Sequence, residues 1–258
     1  MGCKMKILFI GNSFSQDANR YLYSLCEAGG HGEVELLNMY IGGCSFEMHA
    51  ERIRENKADY MVEYNGRDYF HTLYSTLDNA LKFREWDYVS IQQVSGDSGF
   101  YETYHPYCDE LVAHIRKICP GAEILLHRTW GYEHGSNHFA FVRYECSPTL
   151  MCERIGEAYG RLKKDVGARA IIPVGEVIEA LRALPEFDIR VGGASLHRDG
   201  FHLGEGYGRF AAAAVWYQAM GIGEITENPF TPTVEGEDDP ALYALIRRTV
   251  SALVHPLV

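Results

Sequence analysis

The chain has 258 residues, 47% hydrophobic and 23% charged, which suits one large α/β domain (residues 1–258) with a buried core and argues against extended disorder. Its net charge of −11 comes from 35 acidic against 24 basic residues, with no Lys/Arg block. A surface this acidic repels phosphate backbones, so nucleic acid is excluded as an expected partner and neutral or cationic small molecules are favoured.

The seven cysteines are odd in number and form no CxxC, the pattern of reduced, buried thiols in a cytoplasmic protein rather than of a disulfide framework or zinc site. At the N-terminus, Lys4 and Lys6 precede an apolar run, Ile7–Ile10, that is too short for an export signal. Lys6 also stands where a myristoylation pattern wants Ser or Thr. No window reaches the length of a membrane span, so no membrane partner is expected.

The predicted elements then alternate between short apolar runs and amphipathic stretches. Lys6–Gly11 (KILFIG) reads as a buried first strand, and Asn19–Ala28 as a helix ended by Gly29-Gly30. Glu33–Ile41 alternates and reads as a second strand. Asp59–Tyr74 is rich in Tyr and Phe around Asn65-Gly66, which predicts a β-hairpin insertion beside the main sheet, with its role as a lid or homodimer contact left open. Leu77–Phe83 is helical. Asp87–Gln92 is a third core strand, His105–Ile118 a helix, and Glu123–His127 a fourth strand. A long helix follows Pro148 within Tyr144–Val166. Ala168–Ile172 is a fifth strand, and Val174–Leu184, Gly206–Met220 and Pro240–Leu253 are helices. Five short strands separated by helices predict a three-layer α/β/α sandwich around a five-stranded parallel sheet. Chemistry in such sheets gathers at the carboxyl ends of the strands, so the residues just after each strand are the candidates.

After the first strand stands Gly11-Asn12-Ser13. A serine at a strand-to-helix turn is exposed, and the helix N–H groups around it favour developing negative charge. The same tripeptide is also ordinary turn chemistry, and a phosphate loop is weaker because no GxxxxGK[ST] or GxGxxG follows. After the second strand, Gly42-Gly43 allows close backbone approach to a ligand. After the third, Gln92 and Gln93 end an apolar strand with amides able to donate to a carbonyl oxygen. Near the C-terminus, Asp199 and His202 are spaced to pair carboxylate with imidazole. His127, His134, His138 and His197 form no HxH or HExxH pattern, so neither metal nor cofactor is expected. Trp130, Tyr132, Tyr101 and Tyr104 fall in predicted loops, where they would offer a stacking surface.

Taken in order, these segments resemble the four blocks of the SGNH/GDSL hydrolase superfamily. The resemblance extends, toward a bacterial branch of that superfamily, over GNSFSQDA (Gly11–Ala18), IGGCSFE (Ile41–Glu47), WDYVSIQQVS (Trp86–Ser95), Thr129–Tyr132 and RDGFHL (Arg198–Leu203). It implies a flavodoxin-like fold and an ester hydrolase with Ser13 as nucleophile, His202 as base and Asp199 as its orienting carboxylate. It also implies an oxyanion hole from the Ser13 and Gly43 N–H groups and a side-chain amide. Two positions depart from the pattern. The GxND block is absent, so the amide role passes by similarity to Gln92, with Gln93 as alternative and substrate-binding candidate alongside Trp130 and Tyr132. Asn12 replaces the usual Asp. Within the superfamily the reading favours a carbohydrate O-acetylesterase acting on a small-molecule or carbohydrate ester. The alternatives are a non-catalytic carbohydrate binder, a lipase or thioesterase, and a nucleotide or phosphate binder.

Overall fold

The computed structural model describes residues 5–66 and 74–257. Its centre is the strand β1 (Lys6–Gly11), in which Ile7, Leu8, Phe9 and Ile10 are all buried. A strand covered on both faces must be apolar throughout, which is why this run does not alternate. β1 pairs in parallel with β2 (Glu35–Tyr40) on one side and β5 (Tyr88–Ile91) on the other. β6 (Glu123–His127) and β7 (Ala170–Ile172) continue the parallel run.

The expected five-stranded parallel sheet is therefore only part of the sheet observed. β3 (Tyr60–Tyr64) pairs antiparallel with β2, and β4 (Tyr74–Ser75) antiparallel with β3, giving a mixed sheet in the order β4-β3-β2-β1-β5-β6-β7. The Tyr-rich segment is thus an extension of the sheet and not an insertion beside it. The physical reason lies at Asn65, whose N–H donates to the Leu36 carbonyl (2.8 Å) while its Oδ1 accepts the Leu36 N–H (2.9 Å). This pair locks the segment onto the edge of β2. Asn65 and Gly66 both have positive φ (53° and 67°), and residues 67–73 of the hairpin lie outside the described residues.

Helices cover both faces. α3 (Phe46–Glu55), α4 (Leu77–Phe83) and α5 (Tyr107–Ile118) pack together on one. On the other, α1 (Ser13–Asn19), α2 (Leu22–Ala28), α7 (Val174–Arg182) and α9 (Pro240–Leu253) surround α8 (Tyr207–Ala219). α6 (Pro148–Asp165) packs against β7 and α7. Arg209 and Gln218 aside, α8 is apolar on all its faces because it is enclosed. Ala211–Ala214 let its neighbours approach closely, and Trp216 packs edge-on to Phe9 of β1 at 4.8 Å.

Two boundaries differ from expectation in ways that matter for the site. The predicted helix Asn19–Ala28 is observed as α2, starting at Leu22, and a separate helix, α1, precedes it and starts at Ser13 itself. Asn12 caps α1, its Oδ1 accepting the Phe14 N–H at 3.0 Å. α3 was not expected at all. It is capped by Ser45 and buries Phe46, His49 and Ala50, a stripe too polar and too small to show as a hydrophobic period.

Candidate active site

Strand order reverses between β1 and β5: the chain leaves β1 toward β2 and later crosses to the other side. A crevice forms at the carboxyl ends of such a pair. Ser13 follows β1 and Gln92 follows β5, so sheet topology alone brings both to this crevice.

Ser13 meets the loop between α7 and α8 there. His202 Nε2 lies 2.8 Å from Ser13 Oγ, and His202 Nδ1 lies 2.7 Å from Asp199 Oδ2. An ionised carboxylate only accepts, so Nδ1 carries the ring proton and Nε2 is left to accept from the Ser13 hydroxyl. Partial burial pushes the Asp199 carboxyl up, but hydrogen bonds from the His202 ring and from the His202 and Phe201 N–H groups outweigh it and hold the carboxyl below its ordinary value. Gly200 makes the turn possible with φ of 83°, and His197 and Leu203 bridge across its base.

The other candidates occupy distinct places. Gly43 lies exposed beyond β2 with φ of 67° and open space where a side chain would project. Gln92 is 1% exposed. Its Nε2 donates to Asn12 Oδ1 at 2.8 Å, while Asn12 Nδ2 donates to the Cys44 carbonyl at 3.0 Å. Asn12 thereby ties together the loops after β1, β2 and β5. The Gln93 amide has partners at both ends: its Oε1 accepts from Phe46 and Val94 N–H, and its Nε2 donates to Thr103, so it anchors the start of α3.

The expected stacking surface is corrected. Trp130 and Tyr132 are fully buried and present no open ring face. Trp130 stacks on Phe14 at 4.1 Å, and its indole N–H donates to the Phe201 carbonyl at 2.8 Å. Tyr132 is buried beneath Phe201 and His138. Tyr104 is also fully buried, donating to the Ser98 carbonyl, and Tyr101 bonds Asp165 and His105. A loop position does not guarantee exposure, and these rings fill the space under the loops.

One buried polar cluster beside these residues is not visible in the sequence. The carboxylate of Asp17, four residues after Ser13, is fully buried. It accepts from Arg198 at 2.9 Å, from Arg209 Nε at 2.8 Å and from the Leu203 N–H at 3.0 Å. Behind the same loop, Glu133 accepts from Ser195 Oγ at 2.8 Å and its N–H donates to the Gly200 carbonyl. Among the described residues no group of three or more His, Cys, Asp or Glu side chains is placed to hold a metal ion, and no helix is long and apolar enough to cross a membrane.

Residues 6–242 match the family model described as a domain of unknown function, DUF4886. The chain belongs to the DUF4886 family. A DUF4886 family protein from Bacteroides uniformis is 36% identical, with a TM-score of 0.86 over 96% of this chain and 93% of that one. A protein from Slackia heliotrinireducens, provisionally assigned as an SGNH hydrolase, is 25% identical with a TM-score of 0.54 over 84% of this chain and 99% of that one. A variant of Axe2, an acetyl-xylooligosaccharide esterase from Geobacillus, is 18% identical with a TM-score of 0.51 over 86% and 96% of the two chains, a likeness of fold. No curated protein matches the sequence. The DUF4886 chain thus carries an α/β fold with a mixed seven-stranded sheet similar to that of SGNH hydrolases.

Proposed function

We propose that this DUF4886 protein is a serine ester hydrolase. The observation that carries the reading is the chain Asp199–His202–Ser13, with both links at hydrogen-bond distance. Ser13 Oγ attacks the ester carbonyl as its proton passes to His202 Nε2. The tetrahedral intermediate collapses, His202 returns that proton to the departing alkoxide, and the acyl group stays on Ser13. Water then attacks the acyl-enzyme with His202 again as base, releasing the acid and regenerating Ser13. Asp199 fixes the ring tautomer and stabilises the imidazolium.

The oxyanion would be held by the N–H groups of Ser13 and Gly43 and by the second N–H of the Gln92 amide. Ser13 starts α1, so its N–H has no acceptor within the helix. The Gly43 turn faces open space. The substrate class we assign is a small-acyl ester of a carbohydrate. The acidic chain favours a neutral substrate, and the fold is shared with an acetyl-xylooligosaccharide esterase.

The test is covalent labelling with a fluorophosphonate probe. The wild-type protein is expected to label at Ser13, and Ser13→Ala to lose the label. Persistent labelling of Ser13→Ala would remove Ser13 from the role of nucleophile.

A further inference from the structure

Phe139 is 84% exposed, the most exposed large hydrophobic residue among those described. A lone exposed aromatic is common, but this one ends a row of rings that begins at the candidate active site. Phe201 lies 4.2 Å from the His202 ring, His138 lies 4.7 Å from Phe201, and Phe139 stacks on His138 at 4.7 Å with an interplanar angle of 24°. All three are at least partly open to solvent.

The row is also held rigidly from below. Trp130 donates to the Phe201 carbonyl, and Tyr132 lies 4.6 Å from His138 and 5.9 Å from Phe201. His138 Nδ1 accepts the Ala140 N–H at 3.2 Å, which fixes the ring in its loop.

Next to the row in sequence, the same two loops border an open hollow of about 350 Å³ lined by Glu133, His134, Ser136, Asn137, Arg198 and Asp199, among others. Its lining offers hydroxyl, amide, imidazole and carboxylate groups together with Arg198, whose guanidinium is held by Asp17, so neither sign of charge dominates it.

We infer that this ledge and hollow form the binding site for the alcohol portion of the ester, and that the alcohol is a neutral polyhydroxy ring such as a pyranoside. The inference rests on the proposed serine-hydrolase chemistry. In that chemistry His202 Nε2 must reach the leaving oxygen, so whatever that oxygen carries lies beside the His202 ring. The groups found there are Phe201, His138 and Phe139, followed by the polar hollow. A ring with one apolar face and several hydroxyls matches that sequence of surfaces, and a straight alkyl alcohol would leave the hollow unused.

The experiment compares two acetyl esters, an O-acetylated methyl xylopyranoside and ethyl acetate. Both give the same acetyl-enzyme and the same deacylation step, so the ratio of their kcat/KM values reports only the alcohol side. Wild type is expected to favour the glycoside at least tenfold, and Phe139→Ala to cut that ratio roughly three- to tenfold, the range of one aromatic contact. Phe201→Ala is expected to cut it further. Phe83→Ala removes another exposed ring (50% exposed), at the far end of the sheet, and is expected to leave the ratio unchanged. An unchanged ratio in both Phe139→Ala and Phe201→Ala would overturn the ledge. Fluorophosphonate labelling of the wild type separates the two readings. Labelling at Ser13 with an unchanged ratio removes the ledge alone, and no labelling at Ser13 removes both.

Discussion

The Asp17 carboxylate accepts the Leu203 N–H at 3.0 Å, so a residue one turn beyond Ser13 grips the residue that follows His202. Asp17 also binds Arg198, which precedes Asp199. One buried carboxylate therefore holds both ends of the segment that carries Asp199 and His202, and it does so from the helix that Ser13 begins. The spacing of Ser13 and His202 rests on this grip as well as on the backbone between them.

Asp17→Asn keeps the shape and removes the charge that faces two guanidinium groups. Breaking a buried ion pair by removing one partner costs about 3–5 kcal/mol, so a marked fall in melting temperature is expected. The decisive readout is made well below the melting point, on folded protein. There the fluorophosphonate labelling rate should drop about tenfold and its pH profile should shift, because His202 no longer sits in register with Ser13. A destabilised variant with an unchanged rate and profile would show that Asp17 supports the fold without positioning the site.

Gln92 separates a chemical role from a scaffolding one. Its amide donates one N–H to Asn12 Oδ1, which also accepts the Phe14 N–H. If the second N–H reaches the oxyanion, Gln92→Ala should lower kcat/KM for an acetyl ester about a hundredfold with a small change in KM. Gln92→Glu would set a carboxylate against Asn12 Oδ1, two acceptors facing each other in a buried place. It should destabilise the protein more than Gln92→Ala. Steady-state kinetics and thermal melts of the two variants test both statements.

The legible parts of this chain are those in which one physical signal dominates. β1 and β6 are built on unbroken apolar stretches, Ile7–Ile10 and Ile124–Leu126, and α9 starts at a proline after a capping aspartate, so these elements are readable from the sequence. α1 and α3 were hidden because their buried faces carry Ser15, Asp17, Asn19 and His49, whose partners lie on other elements. Ser13, Asp199 and His202 stood out because each sits at a turn with chemistry on it. Nothing in spacing reveals that Arg198 meets Asp17, 181 residues away, or that Trp130 turns inward while Phe139 turns outward. Those facts belong to packing, which decides direction where periodicity is silent.

Buried neutral histidines give the protein a pH-dependent stability. Burial pushes His49 and His127 down to about 3 from an ordinary 6.5. Between those values the unfolded chain binds protons at these rings and the folded chain does not. The stability these two rings contribute is therefore fully present well above pH 6.5 and is lost as the pH drops from there toward 3, by about 1.4 kcal/mol per pH unit for each ring. Urea unfolding at pH 7.5, 6.0 and 5.0 should show this decline. His127 accepts the Trp216 indole N–H at Nδ1, a role that an Asn carbonyl can fill. His127→Asn should therefore flatten the slope, and an undiminished slope would assign the pH dependence to other groups.

Gly11 offers the sharpest test of how the site depends on close packing. A Cβ placed there would lie 2.7 Å from Ser15 Oγ, 2.9 Å from Ser15 Cβ and 3.0 Å from Gln92 Cδ. Ser15 cannot swing aside freely, because its hydroxyl is engaged with the Asn12 carbonyl at 2.8 Å and Asn38 Oδ1 at 2.9 Å. Gly11→Ala must then push α1 away from the end of β5, and Ser13 moves with α1. A loss of about 1–3 kcal/mol is expected from overpacking. Labelling of the folded protein should also slow about tenfold, since a displacement of this size spoils reactive geometry. The double variant Gly11→Ala/Ser15→Gly removes the two closest contacts, at a helix-propensity cost of up to about 1 kcal/mol. It should recover labelling more than stability. If the double variant labels no faster than Gly11→Ala, the obstruction lies at Gln92 and not at Ser15.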